Sequence, residues 1–566
     1  MNDSYLRLIE DLPPRAAPER GQVAGARAMR DFVERLPLAN PAQAARDVAG
    51  ILAAMEATRW PVGERIEALE ALRAPVAGLC EGIEQALGVE SHPLPPGKEK
   101  LVETARAFHR GLARNYALAL HELCGDGKPP MFKGKAAATA AVRAATHLGI
   151  VLQWSYRLYR TPPPGSWRRL HALHRFAQQI NVADKPVPDA LPDGAELDVH
   201  QAYSHALLLA LSNPYRFSAR ELHEAWLLTR CLAPYCVLGP AAGAAIAVDE
   251  HSDDGPGYVP EERSLAQEGI FAVDLAPLKR FLEDHAALQP PGIDRLSFRQ
   301  RGGQAVEVPL AFLHRLRSSW AGSAERGFVR LGAGHALDVV IGLHALHFVL
   351  AGNSDFGTFM QRIRGSTIAL GSREQAASWT AGADSTRPQI LSAQVLDQSL
   401  GGYRLQLESA GGALRIRVGE TIGLAPAAEE GEAQEWMIGL IRWLRTDDHN
   451  VFAGVELLAR RAHAAGVRLS VDGDEMRAPQ RAVVMPDRKR ETMQLLVAHL
   501  FDQRATAIEL TLPADPANWA SRPSVREHAV SAIEEISPAY FRVLLAEPQA
   551  ALGDEAETVA PDRVAG

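Results

Sequence analysis

The apolar residues of this 566-residue chain change their period partway along it, and that change restricts the fold more than any other feature. Between residues 26 and 238 they recur at helical spacing, as in Ile66, Leu69 and Leu72 and, past Pro75, in Val76 and Leu79. Beyond Asp294 they alternate over short runs separated by glycine. Tyr403, Leu405 and Leu407 alternate with Arg404, Gln406 and Glu408, and Leu414, Ile416 and Val418 with Arg415 and Arg417. The two periods belong to different backbones, so a helical half precedes a β-rich half.

Proline and glycine punctuate the first half at residues 93–97, 125–130, 162–165 and 186–194, between segments of helical length. Stacked antiparallel helices without a strict internal repeat are expected over residues 1–240. Residues 241–294 turn to Asp, Gly and Pro around strand-like runs at 244–248 and 270–275 and a helix-like run at 278–285, which reads as a connector. A β-barrel is expected over 295–465, with a strand-like run at 337–349 and a strand pair at 434–444 and 451–459 joined by the polar turn 447–450. Strand-like runs at 482–485, 493–500, 507–512 and 540–545 suggest a further small β-rich domain over 480–550. The acidic, aromatic-poor tail 551–566 is expected to be disordered. The fold class is therefore multidomain α+β.

Composition narrows function. Hydrophobic residues at 47% and charged residues at 23% describe an ordinary folded chain, and 566 residues exceed what one core supports. A formal net charge of -8 argues against neutralising the many phosphates of a nucleic acid polymer, whereas a small anionic ligand needs only a local arginine cluster. Four cysteines, Cys80, Cys124, Cys231 and Cys236, give no disulfide framework and read as buried reduced thiols. The N-terminus lacks the apolar core of a secretory signal, and the most apolar stretch, 337–351, is too short to span a bilayer and carries Asp338, His344 and His347. A cytoplasmic location without a membrane span is expected.

Two short patterns carry chemistry. Arg326 and Arg330 form RxxxR ahead of the 337–349 run, and Asp397, Ser399 and Gly402 form DxSxxG in Asp397-Gln-Ser-Leu-Gly-Gly402. Guanidinium suits a ligand with phosphates and guanines, because it bonds phosphate or the guanine O6/N7 edge bidentately and stacks on bases. A carboxylate complements it by accepting from guanine N1–H and N2–H2, and a serine hydroxyl adds a contact. Gly401 and Gly402 permit a sharp turn and close approach of a ligand.

With both motifs in this order, followed by Val418-Gly-Glu420, Trp436-Met-Ile-Gly439-Leu-Ile-Arg-Trp443 and Gly454-Val-Glu-Leu-Leu458, residues 315–460 resemble the PilZ family. The resemblance implies an antiparallel barrel that binds cyclic di-GMP through Arg326, Arg330, Asp397, Ser399, Gly401 and Gly402. It implies a signalling receptor with no enzymatic activity and no cofactor or metal beyond that ligand, whose helical half engages an unidentified protein partner. A PilZ-like scaffold without ligand is the alternative. The chain departs from the family in placing 67 positions between Arg330 and Asp397; the excess lies at about 351–388, where an insertion could cover the binding face.

Other constellations read as structural. His171 and His174 lie three apart on a helix with no further metal ligand at suitable spacing, and His344 and His347 lie in a strand-like run, where their odd spacing sends the side chains to opposite faces. The glycine- and lysine-containing stretch from Gly125 to Lys135 lacks the spacing of a phosphate-binding loop, and no nucleophile elbow, zinc-protease helix or dinucleotide fingerprint occurs.

Overall fold

The computed structural model describes residues 3–546, except 62, 89–90, 126, 130, 192–193, 241–244, 260–268, 291, 301, 322–328, 365–386, 409–413, 428–433, 448, 471–477, 488–491 and 516–517. These residues fall into two units. One comprises Met1–Val329, Glu408–Val418 and Trp443–Phe452, the other Arg330–Leu407, Gly419–Arg442 and Ala453–Gly566.

The first unit is built on helices α1 (Asp3–Arg7), α2 (Ala26–Glu34), α3 (Pro41–Ala57), α4 (Glu64–Leu87), α5 (Pro96–Leu123), α6 (Gly134–Arg157), α7 (Ser166–Gln179), α8 (Val199–Leu211) and α9 (Ala219–Leu232). Their starts follow local chemistry. The Asn40 side chain accepts from Gln43 N before α3, Asp198 from Gln201 N before α8, and Ser218 forms a capping box with Glu221 before α9. In α4 the stripe Ile66, Leu69, Leu72, Val76 and Cys80 is buried and runs on through Pro75. Arg65 is fully buried, where its guanidinium bonds the Glu122 carboxylate at 2.9 and 3.0 Å and the carbonyls of Met55 and Thr58. A buried cation is tolerated only with such complete pairing.

A four-stranded antiparallel sheet follows, made of β1 (Val237–Pro240), β2 (Ile246–Asp249), β3 (Gly257–Tyr258) and β4 (Ile270–Asp274) in the order β1-β4-β2-β3, and then α10 (Ala276–Ala287). The hairpin β5 (Arg295–Arg299) and β6 (Ala305–Pro309) and helix α11 (Leu310–Trp320) complete the run. Leu296, Phe298, Val306 and Val308 alternate inward, and Trp320 Nε1 donates to Ser212 Oγ at 3.1 Å, so these elements pack on the helical core and supply no barrel strand.

The second unit contains two closed barrels. Its elements begin with β7 (Leu331–Gly332), β8 (Ala336–Ile341), α12 (Leu343–Leu350), α13 (Phe356–Arg364), β9 (Leu391–Ser399) and β10 (Gly402–Glu408). They continue with β11 (Thr421–Pro426), β12 (Met437–Thr446) and β13 (Asn450–Ala459). Pairing runs around the ring β8-β9-β10-β13-β12-β11, and the two-residue β7 lies on β9. The second barrel takes β14 (His463–Ser470), β15 (Gln480–Asp487), β16 (Thr492–Ala498), β17 (Ala507–Asp515), β18 (Asn518–Ser537) and β19 (Tyr540–Leu545) in the ring β14-β15-β16-β19-β18-β17. Numbered from its own first strand, each ring runs 1-2-3-6-5-4. The two barrels are topological copies.

Three sequence expectations are corrected. The run 337–349 is not one strand: β8 ends at Ile341, Gly342 with a φ of +88° turns the chain, and Leu343, Ala345, Leu346, His347 and Phe348 are buried on α12. Residues 414–418 form no strand; Ile416 makes a single bridge to His92, with N–O distances of 2.7 and 2.9 Å, inside the first unit. His344 and His347 therefore sit one helical turn apart on α12. His347 Nε2 donates to Ala465 O at 3.2 Å, its ring meets Phe356 and Phe359 edge-on, and burial pushes its pKa down to about 3. Among the described residues no cluster of three or more His, Cys, Asp or Glu could hold a metal.

Candidate ligand-binding site

The described motif residues meet at one hairpin. Strands β9 and β10 pair with Gly402 opposite Ser399, Tyr403 opposite Gln398 and Arg404 opposite Asp397, leaving Leu400 and Gly401 as a two-residue loop. Gly402 cannot carry a side chain, because a Cβ there would enter the Val455 carbonyl of β13. That close approach seals the ring: Leu457 N donates to Gly401 O at 2.9 Å, while Ser399 Oγ reaches Gly402 O at 3.4 Å.

A β-bulge lies beside the carboxylate. The register shifts between Arg404 and Leu405, so Leu396 is the extra residue of β9, and its carbonyl accepts from Ala333 N at 3.1 Å. Bulges redirect neighbouring side chains and are common next to binding sites. The bulge is held by the segment after Arg330, because Leu331 pairs with Gln398 and Gly332 with Asp397 through β7. Chain approach and turn are thus built as one piece.

Two guanidiniums converge on Asp397. Arg330 Nη1 lies 3.1 Å from Oδ1 and Arg404 Nη1 3.7 Å from Oδ2. The carboxylate side chain is 19% exposed, whereas Arg330 and Arg404 are 49% and 45% exposed, so the cations stand at the open side of the group. Leu331, opposite Gln398, and Leu400, in the hairpin loop, are 64% and 73% exposed. A polar centre with two bidentate donors and one double acceptor suits an anionic, hydrogen-bonding ligand.

Of the residues expected from sequence, Arg330, Asp397, Ser399, Gly401 and Gly402 are brought together here, and Arg326 lies outside the described residues. Arg404 was not among them. It falls two residues past the motif glycine, and only the cross-strand register reveals that it faces Asp397. The described part of the insertion packs elsewhere. Its helix α13 lies against β17 and β18, with Phe356, Phe359 and Met360 buried around Ala464 of the second barrel, and α12 just before it lies against β14 and β15. Residues 365–386 of that insertion lie outside the described residues.

The histidines on α7 also have structural partners. His171 contacts Tyr203 Oη at 2.6 Å and the Asp254 carbonyl at 2.9 Å, and His174 contacts His200 at 2.9 Å. Both are buried, and burial lowers their pKa values. The four cysteines are free and buried, with burial pushing the Cys80 and Cys236 thiols up to about 12.

Known proteins resemble the chain over most of its length. Residues 27–242 match the family model described as the N-terminal domain of the cyclic-di-GMP receptor FimW. Residues 245–389 and 362–464 match that of its middle PilZ domain. The cyclic-di-GMP receptor FimW of Pseudomonas aeruginosa is 25% identical over 507 residues, covering 80% of this chain and 80% of that protein. With both matches in sequence order over a helical half and a six-stranded barrel, the chain belongs to the family of PilZ-domain cyclic di-GMP receptors.

Proposed function

We propose that the chain is a cyclic di-GMP receptor whose site is the β9–β10 hairpin of the first barrel together with the arginines that approach it. The observation that carries this reading is the convergence of Arg330 and Arg404 on Asp397 at a glycine turn that no larger residue could form. Without ligand the carboxylate neutralises the arginines. With ligand, the guanidiniums turn to phosphate or to the guanine O6/N7 edge, and Asp397 accepts from guanine N1–H and N2–H2. Ser399 adds a hydroxyl contact, Gly401 and Gly402 admit the ligand to the backbone, and Arg326 supplies the outer cation of the RxxxR pair.

No bond is made or broken in this cycle, and no cofactor or metal takes part. The ligand acts by its difference in affinity between two states, one with Arg330 paired to Asp397 and one with Arg330 on the ligand. The output passes to a protein partner through the helical half, in the cytoplasm. The carboxylate's role is tested by Asp397→Ala measured with two ligands. Loss of cyclic di-GMP binding should exceed any loss of cyclic di-AMP binding, since only guanine presents N1–H and N2–H2 together. Equal losses for both would assign Asp397 to the turn alone.

A further inference from the structure

Lysine is rare in this chain and unevenly placed. Of its eight lysines, Lys128, Lys133 and Lys135 lie in or beside the loop that joins α5 to α6, and a fourth, Lys185, stands against the same loop. The Lys185 ammonium is 2.6 Å from where a Cβ on Gly134 would sit. All four are exposed, and among the described residues none forms an ion pair. The loop sequence contains a single acid, Asp126, in a chain whose net charge is -8.

The same loop exposes apolar side chains that find no core. Met131 is 82% and Phe132 96% exposed, and Phe132 is held at φ +67°, a left-handed conformation that a bulky residue adopts only under strain. Lys133 then occupies the cap position of α6 and Lys135 its first turn, with no side-chain cap bond. Cations are disfavoured at a helix N-terminus, where the unpaired N–H groups attract anions. Folding accounts for none of these choices: the exposed ring, the strained backbone and the cations at the wrong end of a helix.

We propose that this loop docks the receptor on an anionic lipid bilayer, with Met131 and Phe132 entering the headgroup boundary and the four lysines lying over lipid phosphates. A convex tip of two apolar residues is too small to be the core of a protein interface, which needs on the order of 800 Å² per partner. It suits a bilayer, whose surface accepts isolated apolar side chains ringed by cations. Among the described residues no helix is long and apolar enough to cross a membrane, so attachment of this kind lies on the surface.

The test is co-sedimentation of the full chain with vesicles of phosphatidylglycerol and phosphatidylcholine, compared with phosphatidylcholine alone. Binding to the anionic vesicles should weaken as salt rises. Each lysine near an anionic surface contributes about a fivefold gain, so the triple variant Lys128→Gln, Lys133→Gln, Lys135→Gln should bind about a hundredfold less. The double variant Met131→Ser, Phe132→Ser should bind about tenfold less or weaker still. Both change exposed side chains, and unchanged cyclic di-GMP titration in solution separates this proposal from the ligand reading. No sedimentation with anionic vesicles, equal binding to neutral ones, or undiminished binding by the lysine variant overturns it, as does capture of an acidic protein by a chain that ignores vesicles.

Discussion

Replacing Arg330 by alanine separates a ligand contact from a structural one, because the pair it forms is half exposed. Its guanidinium is 3.1 Å from Asp397 with 49% of the side chain in solvent, and Arg404 remains 3.7 Å from the other carboxylate oxygen. An ion pair so open to water contributes about 0.2 to 1 kcal/mol, so the fold should lose no more than about 1 kcal/mol. A charge-assisted contact with ligand contributes about 1.5 to 3 kcal/mol, less what breaking the resting pair returns. The net, about 0.5 to 2.8 kcal/mol, corresponds to a loss in affinity of roughly twofold to a hundredfold. Calorimetric titration with cyclic di-GMP should show that loss, while thermal unfolding shifts by a few degrees at most. Arg330→Lys should restore the charge but only part of the affinity, since an ammonium cannot bond bidentately. An unchanged Kd, or a fall in Tm large enough to account for the lost binding, would refute the assignment.

Other consequences follow from packing and protonation. Gly402→Ala should cost about 1 to 3 kcal/mol of stability, because the new methyl meets the Val455 carbonyl at the ring closure, and should also remove ligand binding; an alanine variant as stable as the wild type would contradict the geometry. Acid should destabilise both units. His92, His205 and His347 are buried, with pKa values pushed down to about 3. Each is neutral in the folded chain but takes up a proton near pH 6.5 when unfolded, so its contribution is fully present above pH 6.5 and is lost progressively as pH falls toward 3. At pH 5 each should have lost about 2 kcal/mol, and thermal unfolding at pH 7.5 and 5.0 should show a lower Tm at the acid pH. An equal or higher Tm at pH 5.0 would exclude neutral burial of these rings.

The β9–β10 hairpin was readable in the sequence because its chemistry is local. DxSxxG describes a turn that glycine alone can make at Gly402, and the strand pair around residues 447–450 is bounded by polar turn residues. The helices were readable for a similar reason, since stripes such as Ile66, Leu69 and Leu72 repeat over many turns. The run 337–349 failed because α12 is buried on most of its surface between the barrels. A helix without a polar face has no period to distinguish it from a buried strand.

Strands β14 and β18 were missed for opposite reasons. β14 begins His463-Ala-Ala-Gly-Val467, small residues that let Met360 and Phe356 pack closely, so its β-propensity is low. β18 carries register shifts between Val530 and Ala532 and between Glu535 and Ser537, which break the two-residue alternation that reveals a strand. Arg404 was hidden because its meaning depends on which β9 residue lies opposite, and register across a bulge cannot be read from one strand. The shared ring order of the two barrels is likewise a property of pairing. The connection between β15 and β16 reads Asp487-Arg-Lys-Arg-Glu-Thr492, with lysine and threonine where the first barrel has Ser399 and Gly402, so its sequence does not announce a copy.

The central claim is that the hairpin of the first barrel binds cyclic di-GMP, and calorimetric titration of the wild-type chain beside the double variant Arg330→Ala, Asp397→Ala tests it most directly. The wild type should give a saturable isotherm at micromolar ligand or below, and the double variant, still folded by circular dichroism, should give none. Absence of saturable binding by the wild type well above micromolar ligand would make the barrel a scaffold. Full retention of binding by the double variant would move the site elsewhere in the chain.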